Sequence, residues 1–400
     1  MAINEKSWLS RDSLLLSLSA FFADLGYQGV TALYPIFIVI ELHKSPLLYG
    51  LIAGLGFGIG SLFAFIGGWL GDKLPKKPII IIGNIGILSL ALSGISSTIW
   101  ISGLLFMGGW WFRYLRTPPR RALLVQVTAP EYRTKVFGFL HALDIGGGLL
   151  SIIAAIILLL LHISAGHIIV FAAIPLIIST LVLLPLGKSK LYPIEEKNKK
   201  TTATTEQITS NYKYQKRIFI TILIATSLYG FSFYNLGFPV LSAAIISKVA
   251  IAGLIAYGIY LGTSAISGWL LGLANMKGLQ ALWRWGFLPS ALASLIIAVN
   301  AFIHGGVWAF YPAVAILGLG MGAVETYEPA ITASLRTNSN ISAGMGWLSI
   351  ARSIGQFGAN FIMGALFIIG EGYAYIFAAS AALLAAIVLI TSELLYKPKD

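Results

Sequence analysis

Seven ionisable residues stand inside long apolar runs of this chain: Asp24, Arg113, Arg116, Asp144, Glu325, Glu328 and Arg352. At the centre of a membrane helix each would cost about 2.5–3.5 kcal/mol unless partnered, so such residues mark sites. Asp24 lies in "FFADLGYQG" (21–29), midway along an apolar run from about Leu14 to Ile40. Burial disfavours the charged form of a carboxyl group. Asp24 could therefore gain and lose a proton, or bind a cation, as water reaches it from alternate sides; the bland alternative is a protonated, hydrogen-bonded core residue. With a rise of about 1.5 Å per residue, Arg113 and Asp144 reach comparable depths, as do Glu325 and Arg352. Two pairs with exchanged signs are expected, because pairing is how low dielectric tolerates charge. Each pair could brace or gate the helices, or one arginine could meet an anionic group of a substrate.

Polar and aromatic residues in the same runs could line the other wall of a cavity. Candidates are Gln28, Tyr34, Arg116, His141, Tyr234, Asn235, Glu328 and Gln356, with Tyr27, Tyr229, Tyr257, Tyr260 and Asn360 behind them. Tyrosines also collect at membrane interfaces without a binding role, and Gln356 and Asn360 could simply hydrogen-bond between helices. His141 stands one turn before Asp144, a spacing open to a proton relay. The other histidines fall in predicted outer loops, and there is no cysteine, so no metal site and no cofactor are expected. Gly187-Lys188-Ser189 is similar to the end of a phosphate-binding loop, but Val182 occupies the place of its first glycine.

The elements that must hold these charges are membrane helices. Of 400 residues 57% are hydrophobic and only 10% charged, and the mean hydropathy is +0.85; a soluble domain carries about 25% charged residues. Twelve spans are predicted at approximately 13–40, 47–70, 78–98, 100–121, 136–161, 167–186, 217–246, 249–273, 284–303, 306–333, 343–369 and 373–395. Of the 27 Lys and Arg, only Lys44 and Lys248 fall in the odd-numbered gaps between spans. That asymmetry predicts cytoplasmic even gaps and cytoplasmic termini. The net charge of +12 thus reads as orientation in a cell membrane, not as nucleic-acid binding.

The polar stretch 188–216 separates six spans (1–187) from six (217–400) and reads as a flexible cytoplasmic linker. The two sides repeat: "YGLIAGLGFG" (49–58) resembles "AGLIAYGIYLG" (252–262), Pro119 and Pro329 end similar helices, and Gly138 precedes Gly346 by a similar interval. Duplicated six-helix halves are the mark of a transporter with its substrate site between them.

The loop "GWLGDKLPKKP" (68–78) is similar to the signature of the major facilitator superfamily at this position. "RYLRTPPRRALL" (113–124), "FGFLHALDIGG" (137–147) and "FFADLGYQG" resemble a poorly characterised prokaryotic branch of it. That branch usually has acidic residues where Gln28 and Arg121 stand, and "DIGGGLLS" (144–151) lacks the proline usual in the drug-antiporter subgroup. The resemblance implies that Gly68, Asp72, Lys76 and Lys77 form a cytoplasmic latch, with Asp72 bonding neighbouring helix ends and the lysines facing the cytoplasm. It also implies that spans 1 and 4 line the cavity, which opens a third role for Asp24, a pairing with Arg113.

The expectation is an all-α membrane protein of twelve helices in two pseudo-symmetric six-helix halves. It would be a secondary transporter, monomeric in membrane lipid, moving a small organic solute by alternating access, with protons as partner by antiport or symport. An uncoupled facilitator and a transport-inactive receptor or assembly factor are the rivals. No nucleophile–base or metal-ligand motif points to an enzyme.

Overall fold

The computed structural model describes residues 9–129, 132–189, 191, 205–232, 236–274, 279–334 and 341–395. They form fifteen α-helices and no strand. In chain order these are α1 (Arg11–Ile36), α2 (Pro46–Lys73), α3 (Lys76–Leu92), α4 (Ile99–Gln126), α5 (Arg133–Leu160), α6 (Ala165–Phe171), α7 (Ala173–Leu183), α8 (Thr205–Ser232), α9 (Gly237–Ser247), α10 (Ala250–Leu273), α11 (Leu279–Leu282), α12 (Leu288–Phe302), α13 (Val307–Ser334), α14 (Ile341–Ile369) and α15 (Glu371–Leu395). Among the described residues ten stretches are long and apolar enough to cross a membrane. At the places of the predicted third and fourth spans stand α3, 17 residues long, and α4, which carries Arg113, Arg116, Arg120 and Arg121. Large apolar side chains such as Phe65, Ile82, Leu104, Ile153 and Ile174 are exposed on the outer helix faces, as lipid contact requires.

Contacts divide the chain into two compact units, one of residues 1–194 with 236–261, the other of residues 195–235 with 262–400. Residues 236–261, which include α9 and the first half of α10, therefore pack with α1–α7.

Local sequence explains how the first unit is held. Ser10 caps α1 by accepting the Ser13 N–H at 3.1 Å, and Ser45 with Pro46 starts α2. Glu41 ends a π-helical turn (Phe37–Glu41) after α1 and accepts the N–H groups of Ala165 and Gly166 at 2.7 and 3.3 Å, capping α6. Pro119 does not end a helix, contrary to the sequence expectation, since α4 contains it and runs on to Gln126. Proline at 119 leaves the Leu115 carbonyl without its helical donor, and Gly67 of α2 packs against that oxygen; a Cβ there would lie 1.9 Å from it. Gly147 lets α5 cross α1 the same way, since a Cβ would meet the Phe21 carbonyl at 2.3 Å. In the second unit Gly355 of α14 faces the Ser227 carbonyl of α8, where a Cβ would lie 2.2 Å from the oxygen. Gly147 and Gly355 keep the offset that separates Gly138 from Gly346.

Two polar clasps tie the ends of the first six predicted spans. Asp12, 2% exposed, accepts the N–H groups of Gly187, Lys188 and Ser189 at 2.9, 3.1 and 3.2 Å. Gly187 supports this nest of donors with φ of 105°. The phosphate-loop-like triplet does hold an anion, and that anion is the chain's own carboxylate. Lys77 Nζ donates to the carbonyls of Leu184 and Leu186 at 2.7 and 2.9 Å, closing the C-terminal end of α7. Asp72 is exposed and makes no hydrogen bond or ion pair among the described residues, Gly68 and Lys76 are half-buried, and the signature loop engages its neighbour helix through Lys77.

Candidate functional site

In the first unit the site is built on one face of α1. Asp24, Tyr27 and Gln28 stand at i, i+3 and i+4, the spacing that places side chains together. Asp24 is 4% exposed and Tyr27 1%. Asp24 Oδ1 accepts from the Tyr27 hydroxyl at 2.6 Å and from Gln28 Nε2 at 3.0 Å. The Gln28 carbonyl oxygen accepts in turn from Tyr257 of α10 at 2.6 Å, so the chain of hydrogen bonds leaves α1. Among the described residues, both donors to Asp24 Oδ1 are neutral.

Arg113 of α4 lies against the same tyrosine from the other side. Its guanidinium is 4.8 Å from the Tyr27 ring, 5.0 Å from Trp110 and 6.0 Å from Tyr114. Desolvated cation–π contacts of this kind contribute about 2 kcal/mol. Among the described residues no ion pair joins Arg113 to Asp144 or to Asp24, which corrects the expected Arg113–Asp144 pair. The reason is local: Trp110 sits one turn back on α4 and Tyr27 faces it, so the cation is enclosed by rings before a carboxylate can reach it. Arg113 Nε and Asp144 Oδ1 are buried with no hydrogen-bond partner.

Deeper along α4, Arg116 is 1% exposed and donates through Nη1 to Asn84 Oδ1 of α3. Asn84 Nδ2 donates to Ser179 Oγ at 2.9 Å and to Thr180 Oγ1 at 3.1 Å, both on α7. Ser179 Oγ donates to the Ser19 carbonyl at 2.6 Å. Arg120 is 7% exposed, and its Nε and Nη1 are buried without partners. Asn84 and Arg120 escaped the sequence reading. A lone amide inside "PIIIIGNIGIL" (78–88) is the signal that could have found the first.

The second unit closes its charges. Arg352 of α14 bridges two carboxylates of α13, Glu325 at 2.5 Å and Glu328. Glu328 is fully buried and accepts a further hydrogen bond from Thr226 of α8 at 2.7 Å. Glu325 is half-exposed. The Glu325–Arg352 contact is present, and Glu328, read only as a cavity candidate, is its buried third member.

Of the remaining candidates, Tyr34 is fully buried, stacked on Phe106 at 3.9 Å with its hydroxyl 3.1 Å from Ser102 Oγ. That is core packing. Gln356 is 7% exposed and its carbonyl accepts from Asn360 within α14 at 2.9 Å. Tyr229 packs on Phe287 at 4.5 Å, with its hydroxyl 2.9 Å from Ser290 Oγ. Tyr234 and Asn235 lie outside the described residues, as does the His141 side chain. Among the described residues no group of His, Asp and Glu could hold a metal ion.

The model of the Major Facilitator Superfamily matches residues 16–359. The chain belongs to this superfamily. Over 398 residues it is 24% identical to the uncharacterized MFS-type transporter MJ1317 of Methanocaldococcus jannaschii, covering 96% of this chain and 95% of that one. A stretch of 155 residues is 28% identical to the multidrug resistance protein MdtH of Klebsiella pneumoniae, 36% of this chain and 38% of that protein. Among solved structures, a POT family transporter in complex with a thioalcohol-conjugated peptide superposes with a TM-score of 0.77 over 97% of both chains, at 14% identity. At that identity the likeness shows the fold. The major facilitator chain is accordingly a secondary transporter in a membrane and not an enzyme.

Proposed function

We propose that this chain moves a small organic solute across the cell membrane by alternating access, coupled to protons by antiport or symport, with Asp24 carrying the proton. Twelve spans in two halves, 1–187 and 217–400, would be joined by a cytoplasmic linker over 188–216, in a monomer with both termini in the cytoplasm. One observation carries the coupling role: Asp24 is buried, and among the described residues its hydrogen-bond donors are the neutral Tyr27 hydroxyl and Gln28 amide. A carboxyl group with a fixed cation stays ionised, whereas one held by a phenol and an amide keeps its partners with or without a proton.

The test is flux into liposomes containing the purified protein, with and without a pH gradient, over sugars, amino acids, organic acids and cationic drugs. Accumulation of at least one solute against its gradient, driven by ΔpH, is expected. Flux indifferent to ΔpH would make the protein an uncoupled facilitator, and absence of flux would make it a receptor or assembly factor. The chain has no cysteine, so single cysteines at Lys197 and His304 test the orientation. An impermeant reagent on intact cells is expected to modify position 304 and to spare 197; the opposite pattern refutes the topology.

A further inference from the structure

We propose that Arg116 and Arg120 of α4 bind an oxyanion, a carboxylate or phosphate group of the transported solute. The proposal deepens the transport reading and rests on it for the word "transported". Arg113, Arg116 and Arg120 stand at i, i+3 and i+7, so one face of α4 carries three cations. The first is covered by aromatic rings. The other two are not balanced: among the described residues neither makes an ion pair.

Arg116 and Arg120 together leave three buried N–H positions without partners, Nε of Arg116 and both Nε and Nη1 of Arg120. Burying a guanidinium in this way costs several kcal/mol if nothing answers it. The fold has an answer available at the corresponding place in the second unit, where Arg352 and Thr226 fully satisfy Glu328. In the first unit the groups that reach Arg116 come from other helices, Asn84 of α3 backed by Ser179 and Thr180 of α7, and all are neutral. These groups orient Arg116 and leave its charge uncancelled, which is the arrangement of a receptor site. A guanidinium fork with adjacent unfilled donors matches the paired oxygens of carboxylate and phosphate. The helix continues into Leu124, which belongs to a buried apolar cluster with Leu16, Ala20 and Leu140.

The experiment is thermal unfolding of the purified full-length protein in detergent, titrated with sodium phosphate or sodium succinate at constant ionic strength set by choline chloride. Saturable stabilisation by at least one of the two oxyanions is expected, because binding to the folded state raises the midpoint. Arg120→Gln should weaken the apparent affinity about 10- to 100-fold, the loss of a charge-assisted hydrogen bond. Without oxyanion it should unfold at or above the wild-type midpoint, since the stranded charge is gone. Arg120→Lys, which keeps the charge and loses the fork, should fall between them. The proposal is overturned if wild type responds to neither oxyanion, if chloride stabilises equally, or if Arg120→Gln responds like wild type. Binding is read here without flux. Oxyanion binding in a protein that moves no solute would refute the transport reading and leave the site standing; proton-driven flux with no oxyanion response would do the reverse.

Discussion

Asp24→Asn is expected to abolish accumulation driven by a pH gradient while leaving exchange of labelled for unlabelled substrate within a few-fold of wild type. Asparagine keeps the size and one acceptor oxygen, so the Tyr27 hydroxyl and Gln28 amide retain a partner. Only titration is removed. Exchange returns the carrier loaded in both directions and needs no net proton movement, so it survives. Accumulation requires a group that is protonated on one side and deprotonated on the other. If Asp24 is only a buried hydrogen-bonded residue, the Asn variant accumulates substrate as wild type does, and the coupling role is lost. Were Asp24 the counter-ion of Arg113, the substitution would lower stability and Arg113→Gln would restore it; the enclosure of Arg113 by rings argues against that outcome. Flux with and without ΔpH, measured beside thermal unfolding for both variants, separates the three.

The second large effect concerns folding. Arg352→Gln should destabilise the protein by about 3–5 kcal/mol, the cost of stranding one member of a buried ionic cluster. Glu328 is the residue stranded, being fully buried with one remaining donor, Thr226. Adding Glu328→Gln should recover more than half of the loss, because the leftover charge is then gone. Glu325→Gln added instead should recover little, since Glu325 is half-exposed and can be hydrated. Unfolding of the three variants in detergent measures this; equal recovery by the two second substitutions would show that burial of Glu328 is not what Arg352 offsets.

Much of this was legible from residue types alone. Apolar runs gave the helices because a membrane span has a required length, and charges inside those runs pointed to Asp24, Arg113, Glu325 and Arg352. Periodicity shows which face a residue occupies and says nothing of what stands opposite. Hence Arg113 was matched to a carboxylate at similar depth, when Trp110 and Tyr27 reach it first. The boundary of α4 was the other loss. With Pro119 read as a helix end, Arg120 fell at the mouth of a span, where a cation needs no explanation. The helix continues to Gln126, which places Arg120 inside the bundle. Proline is tolerated there because α2 offers a glycine to the freed carbonyl, a compensation no single-helix rule contains.

The clasp between Asp12 and residues 187–189 bears on how this protein could be re-engineered. It brings the beginning and the end of the stretch that carries α1–α7 within one hydrogen bond of each other. That stretch is therefore a ring in all but covalent linkage. A few residues could join its ends and new termini be opened in an exposed loop elsewhere, as circular permutation requires.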